Sequence, residues 1–131
     1  MGYRSNVVAL IYPDTADHTT DDELYEALKT IMNTTFKDVM DAFSGDAFWR
    51  ERSKCLMFKI EDVKWYDSYP DVQKFKAMMD AFHDGGHDDE IPGYCTEFVR
   101  TGEDYDDVET EQTGHNVVGF ISVRREIECD A

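Results

Sequence analysis

Apolar and polar residues follow one another along this chain in a pattern that predicts strands alternating with helices. Residues 7–12 form an unbroken apolar run that ends at Pro13, as is typical of a strand covered on both faces. Behind the helix-capping candidates Thr19, Thr20 and Asp21, apolar side chains recur every three or four residues across 24–43. This spacing predicts one long amphipathic helix, which Ser44-Gly45 would end.

The next segment, residues 55–65, predicts a strand with one irregularity. Apolar and polar residues alternate as far as Ile60 and then lose phase at Glu61 and Asp62. A β-bulge at these two residues would return Val63 and Trp65 to the buried side of the strand.

The rest of the pattern predicts a second helix and two further strands. Pro70 suits the first position of a helix, an apolar face extends over 72–82, and Gly85-Gly86 would stop the helix. Residues 94–101 and 116–127 predict strands, with a short extra strand near Val108. The resulting order, βαβαββ, indicates an α+β fold of two layers, with two helices on one face of a mostly antiparallel sheet.

Length and composition predict a single folded domain over residues 1–131. A chain of this size buries about two-thirds of its unfolded surface, and 41% hydrophobic content with 13% aromatic residues is too apolar for a disordered acidic tail. The apolar run near the start is too short for a signal peptide or a membrane span. We therefore expect a protein of the cytoplasm that does not bind membranes.

Negative charge is concentrated near the C-terminus. Residues 80–131 contain 15 of the 29 acidic residues but only 3 of the 13 basic ones, whereas the whole chain has a formal net charge of −16. This balance is the reverse of the basic stripe that nucleic-acid binding requires, so we expect no direct contact with nucleic acid. It favours cationic partners.

Candidate chemistry is sparse, and we expect neither a metal nor another cofactor. Three cysteines without CxxC spacing argue against disulfides and a zinc ribbon. His83 and His87 are four residues apart, but Gly85-Gly86 interrupts the helix on which a metal site would depend. The acidic segment 103–111 lacks the glycine and the spacing of a calcium loop, and no nucleophile arrangement or phosphate-binding loop is present.

Three segments together resemble a group of small acidic proteins encoded by tailed bacteriophages. They are the opening MGYRS, VKWYDSYPDV at 63–72 and FVRTGEDYDD at 98–107. The resemblance covers most of the chain and implies a phage origin and the cytoplasm of a bacterial host, but it implies no catalytic residues.

Two functional hypotheses follow, and neither is an enzyme. In the first, a DNA-like negative face binds the basic surface of a host nucleic-acid-binding protein, such as a nuclease, CRISPR effector, polymerase or topoisomerase. The protein would act as a monomer or homodimer. The partner-binding residues would be Asp84, Asp88, Asp89, Glu90, Glu103, Asp104, Asp106, Asp107, Glu109 and Glu111.

In the alternative, the protein captures a small molecule or nucleotide and so counters host defence signalling. Guanidinium groups grip phosphates and carboxylates, while aromatic rings stack on bases. The ligand-binding residues would then be Arg4, Tyr66, Tyr69 and Arg100.

Overall fold

A central strand, β1 (Ser5–Pro13), organises the fold, because it pairs with a strand on each side. β3 (Cys55–Val63) and β4 (Tyr94–Thr101) flank it, and β2 (Ala47–Arg50) and β5 (Val108–Thr113) are the outer strands. All pairings are antiparallel, in the order β2-β3-β1-β4-β5. The computed structural model describes residues 4–82, 91, 93–103, 107–123 and 127–129.

Helices pack on one face of this sheet and enclose the larger core. They are α1 (Asp21–Thr34), α2 (Lys37–Ala42) and α3 (Pro70–Ala81). Alternate residues of β1 face them, and rings from β3, β4, α3 and Trp65, which follows β3, pack against one another at centroid distances of 5.0 to 6.3 Å. The fully buried members of this core include Val7, Ala9, Ile11, Leu28, Met32, Leu56, Phe58, Phe75, Met78 and Phe82.

The second face of the sheet has a smaller core, covered by the C-terminal segment. Leu10, Tyr12, Cys55 and Cys95 are buried there. Residues 117–120 and a separate hairpin, β6 (Ile121–Val123) with β7 (Ile127–Cys129), lie over them. The prediction that β1 is covered on both faces is therefore confirmed.

The bulge predicted in β3 is also present. Ser5 pairs with Val63 but Val7 pairs with Ile60, so β3 has one more residue than β1 between these pairs. Asp62 takes a left-handed conformation, with φ of 53°, and its N–H donates to Asn6 Oδ1 at 2.8 Å. As predicted, Val63 packs against the core and Trp65 is buried.

The α+β class with helices on one face is confirmed, but three details of the predicted order are wrong. The single long helix is two helices, because the chain leaves helical geometry at Phe36, whose ring packs on Phe82 at 5.6 Å. β2 forms in a charged stretch where no strand was predicted. The strand expected over 116–127 is an irregular segment followed by the first strand of the β6–β7 hairpin.

No helix in the described part of the chain is both long and apolar enough to cross a membrane.

Candidate partner-binding surface

Four of the ten predicted partner-binding carboxylates lie in or beside the β4–β5 hairpin of the described structure. Glu103 and Asp107 lie between β4 and β5, whereas Glu109 and Glu111 are in β5. The other six are outside the described residues: Asp84, Asp88, Asp89, Glu90, Asp104 and Asp106.

Two of these four carboxylates are ion-paired within the protein. Arg100 of β4 is only 8% exposed. Its Nη2 is 2.6 Å from Asp107 Oδ1, its Nε donates to Glu109 Oε1 at 3.1 Å, and its Nη1 donates to Ser5 Oγ at 3.0 Å. Hydrogen bonding to Asp107 and the charge of Glu109 raise the pKa of Arg100. This cluster ties the β4–β5 hairpin to the start of β1.

Glu109 and Glu111 lie on the helix side of the sheet. They pair in register with Arg100 and with Phe98, whose ring contacts the rings of Trp65 and Phe75 in the larger core. A cavity of about 100 Å³ separates α3 from β5. We call it the acidic groove, and it is lined by Lys76, Met79, Asp80, Phe98, Glu109 and Glu111.

Three carboxylates and one lysine therefore share the acidic groove. Lys76 Nζ is 2.6 Å from Asp67 Oδ1, so this lysine also serves a carboxylate outside the groove. Asp80 was not among the predicted residues. The polar face of α3 was visible in the sequence, but its position beside β5 depends on how the helix packs.

The uneven distribution of charge along the sequence is also an uneven distribution over the folded protein. Residues 80–131 supply β4 and β5 at one side of the sheet and the segment that covers the second face. The described lysines are mostly elsewhere and pair with nearby acidic side chains: Lys29 with Glu26 and Glu51, Lys37 with Asp41, Lys54 with Asp22, Lys59 with Glu61, and Lys74 with Asp38.

The four residues of the alternative hypothesis make contacts within the protein. Arg4 Nη1 donates to the carbonyl of Asp62 at 2.9 Å, and its backbone N–H donates to Glu103 Oε1 at 2.8 Å. Arg100 is held by Asp107, Glu109 and Ser5, as described above. The rings of Tyr66 and Tyr69 meet edge to face at 5.2 Å. Both arginines thus already donate to oxygens of the protein.

Sequence reasoning missed a buried polar network on the second face of the sheet. Glu97 of β4 is 1% exposed. It accepts from the Tyr12 hydroxyl at 2.5 Å and from the backbone N–H groups of Gly119 and Ile121 at 3.3 Å each. The Tyr12 oxygen in turn accepts from the N–H of Val118 at 2.9 Å.

This network fastens the C-terminal segment to the sheet. Burial, and then the hydrogen bond to Glu97, raise the pKa of Tyr12, so its hydroxyl remains a donor. A second carboxylate, Asp14, accepts from the N–H groups of His115 and Asn116 at 2.9 Å each. The sequence did not indicate that Glu97 or Asp14 would bind the C-terminal segment. Glu97, for example, lies within an otherwise regular strand pattern.

Metal binding finds no support among the described side chains. Within that part of the chain, no group of three or more His, Cys, Asp or Glu residues could hold a metal ion. His83 and His87 lie outside it.

Comparison of the chain with protein-family models, curated proteins and solved structures gave no match.

Proposed function

We propose that this chain is a phage-encoded acidic inhibitor that binds the basic surface of a host nucleic-acid-binding protein and competes there with nucleic acid. The observation that carries the proposal is the position of the acidic groove. It lies on the side of the sheet built from residues 80–131, the more acidic part of the sequence.

Internal pairing leaves much of this charge uncompensated. With 29 acidic and 13 basic residues, pairing every cation with one carboxylate still leaves a net charge of −16. Exposed ion pairs contribute only about 0–1 kcal/mol each and do not alter the net charge. The field around the protein therefore attracts cationic surfaces and accelerates association with them.

Strand geometry supports the comparison with DNA. Side chains on one face of β5 repeat about every 7 Å along the strand, whereas each DNA strand carries one phosphate per about 3.4 Å of helix axis. Glu109 and Glu111 are thus spaced at about half the density of the phosphates on one DNA strand, and the ion pair with Arg100 offsets part of the charge of Glu109. Asp80 on α3 adds a third carboxylate beside this row.

The first test is isolation of the partner from lysate of a bacterial host. Tagged protein is incubated at about 50 and about 500 mM NaCl, because the higher concentration reduces the screening length to a few ångströms. We expect a protein that is retained at low salt only and that, once purified, binds duplex DNA in competition with this chain. A partner that keeps its DNA while bound would overturn the proposal.

Matched charge variants then locate the surface. Asp80→Asn with Glu111→Gln removes two charges from the acidic groove, and Glu23→Gln with Glu61→Gln removes two from exposed sites elsewhere. The groove pair should weaken binding about tenfold and the control pair much less, since charge at an interface matters more than charge remote from it. Equal effects would mean that net charge alone governs binding and that the groove is not the binding surface.

A further inference from the structure

We propose that the outer edge of β5 binds an extended basic segment of the partner protein, which adds to the sheet as a sixth strand beside β5. This inference rests on the proposed function and deepens it, because it specifies how the partner is held. Backbone hydrogen bonds would provide affinity in such a complex, and alternate side chains would provide specificity.

The edge itself is accessible. β5 is the last strand of the sheet, and no other described strand pairs with its outer side. Five of its six residues are exposed, and Val108 is 41% exposed although it is apolar. An exposed strand edge presents unpaired N–H and C=O groups that can template a further strand.

The hydrogen-bond pattern between β4 and β5 determines which backbone groups of β5 point away from the sheet. Gly102 N–H donates to the Asp107 carbonyl at 2.8 Å, and the β4–β5 register continues from this pair. Hydrogen-bonded and non-bonded pairs alternate in an antiparallel ladder. Glu109 and Glu111 therefore bond to β4, whereas the backbone groups of Val108, Thr110 and Gln112 point outward.

The two sides of this edge differ in chemistry, which defines the segment that fits. On the helix side, Glu111 and Glu109 border the acidic groove. Glu109 shares Arg100 with Asp107, so this side keeps a net negative charge that favours lysine or arginine. On the other side an open cavity of about 580 Å³ is lined mostly by uncharged residues: Phe98, Val99, Thr110, Gln112 and Ile121. Its two carboxylates are Glu97, which already accepts three hydrogen bonds within the protein, and Glu111, which also borders the acidic groove. Uncharged side chains fit there, so the segment should alternate basic and uncharged residues.

A second copy of this chain is a poor occupant of the same edge. In a two-fold antiparallel pairing of β5 with itself, residues on the helix side oppose each other. Glu109 and Glu111 would then meet the same two residues of the copy, and directly opposed like charges are destabilising. Charge complementarity therefore selects a basic strand.

The test uses a nine-residue peptide of alternating lysine and threonine as the probe. Amide hydrogen exchange is followed by NMR. In the free protein, the amide protons of Val108, Thr110 and Gln112 should exchange rapidly and those of Glu109 and Glu111 slowly. Saturating peptide should slow exchange at the first three residues about tenfold or more, because their N–H groups become hydrogen-bonded. The control is the same peptide with N-methyl groups at alternate residues, on the edge that would pair with β5. It keeps its charge but cannot form the backbone hydrogen bonds, so it should not slow amide exchange. Equal protection by both peptides, or none by either, would overturn the inference.

A matched pair of variants tests the same edge from the protein side. Thr110→Pro removes an outward N–H without removing a bond to β4, and proline is tolerated on edge strands. Thr110→Ala keeps that N–H. Proline should weaken peptide binding about tenfold and alanine hardly at all, since only proline deletes a donor.

The outcomes separate this inference from the proposed function. If Thr110→Pro leaves binding to the host partner unchanged while the Asp80 and Glu111 variants weaken it, strand addition is wrong and the charge-based function stands. If the partner binds through the β5 edge without losing its nucleic acid, strand addition stands and the proposed function is wrong.

Discussion

Individual carboxylates have two different uses in this protein, although the sequence presents them alike. Glu111 is exposed beside the acidic groove, whereas Glu97 is buried and accepts three hydrogen bonds. A buried carboxylate is retained only when hydrogen bonds replace its hydration. Glu97 is therefore a structural residue, and the exposed carboxylates are the candidates for binding.

Replacing Glu97 should be costly to the fold. Glu97→Ala leaves the Tyr12 hydroxyl and two backbone N–H groups without their acceptor, and we expect the free energy of unfolding to fall by about 2–4 kcal/mol. Urea denaturation measures the loss. As a control, Glu111→Ala on the neighbouring strand should change stability by less than about 0.5 kcal/mol. A loss below about 1 kcal/mol for Glu97→Ala would show that the network contributes little.

Asp14 gives stability a dependence on pH. Burial acts to raise the pKa of this carboxyl, but hydrogen bonds from His115 and Asn116 outweigh it, and the folded-state pKa is lowered. The contribution is therefore complete above the unfolded value of about 3.9 and is lost as the pH falls through the folded value. The stability difference between wild type and Asp14→Ala should be constant near neutral pH and shrink below about pH 4. A difference that grows in acid would contradict this assignment.

At the scale of elements, the C-terminal segment depends on a close approach to β4. Gly114 has φ of 112°, and a Cβ built there would lie 2.6 Å from Cys95 Sγ and 3.0 Å from Cys95 Cα. Gly119 also has positive φ, 79°, but its Cβ would meet nothing within 4 Å. Substitutions at the two glycines therefore distinguish the cost of backbone strain, which applies to both, from the cost of a steric clash, which applies only to Gly114.

Alanine at these two glycines should have unequal effects. Strain at positive φ costs of order 1–3 kcal/mol at either position, and Gly114→Ala adds a clash with Cys95. We therefore expect Gly114→Ala to be the more destabilising by at least about 1 kcal/mol in urea denaturation. It should also accelerate thiol labelling of Cys95, whose pKa burial raises to about 12. Equal losses of stability in the two variants would mean that the C-terminal segment moves away from Cys95 without a cost in free energy.

At the scale of the whole molecule, charge opposes folding but favours association. A net charge of −16 on 131 residues produces self-repulsion in the compact state, and added salt screens it. Attraction to a basic partner is screened by the same ions. Stability and binding should therefore respond to salt in opposite directions.

Raising NaCl from about 10 to about 500 mM should increase the midpoint of urea denaturation, because screening of the repulsion outweighs screening of the exposed ion pairs. A lower midpoint at high salt would indicate that those ion pairs dominate. The variant with Glu23→Gln and Glu61→Gln should show a smaller increase, because less repulsion is left to screen.

Local pattern was sufficient for much of the fold. The apolar run of β1, the alternation and bulge of β3, and the proline that starts α3 each depend on neighbouring residues, and each was predicted. The break between α1 and α2 was not, because the apolar stripe continues through it and Phe36 leaves helical geometry where its ring packs on Phe82.

The sequence alone determined the α+β class and the excess of carboxylates. Periodicity depends only on residues that are neighbours in the sequence, and composition is a sum over the whole chain. Tertiary structure decided which carboxylates remain available. Arg100 reaches Ser5 across 95 residues of sequence, and Tyr12 reaches Glu97 across 85. Such pairings depend on which strands become neighbours, and local spacing carries no information about that choice.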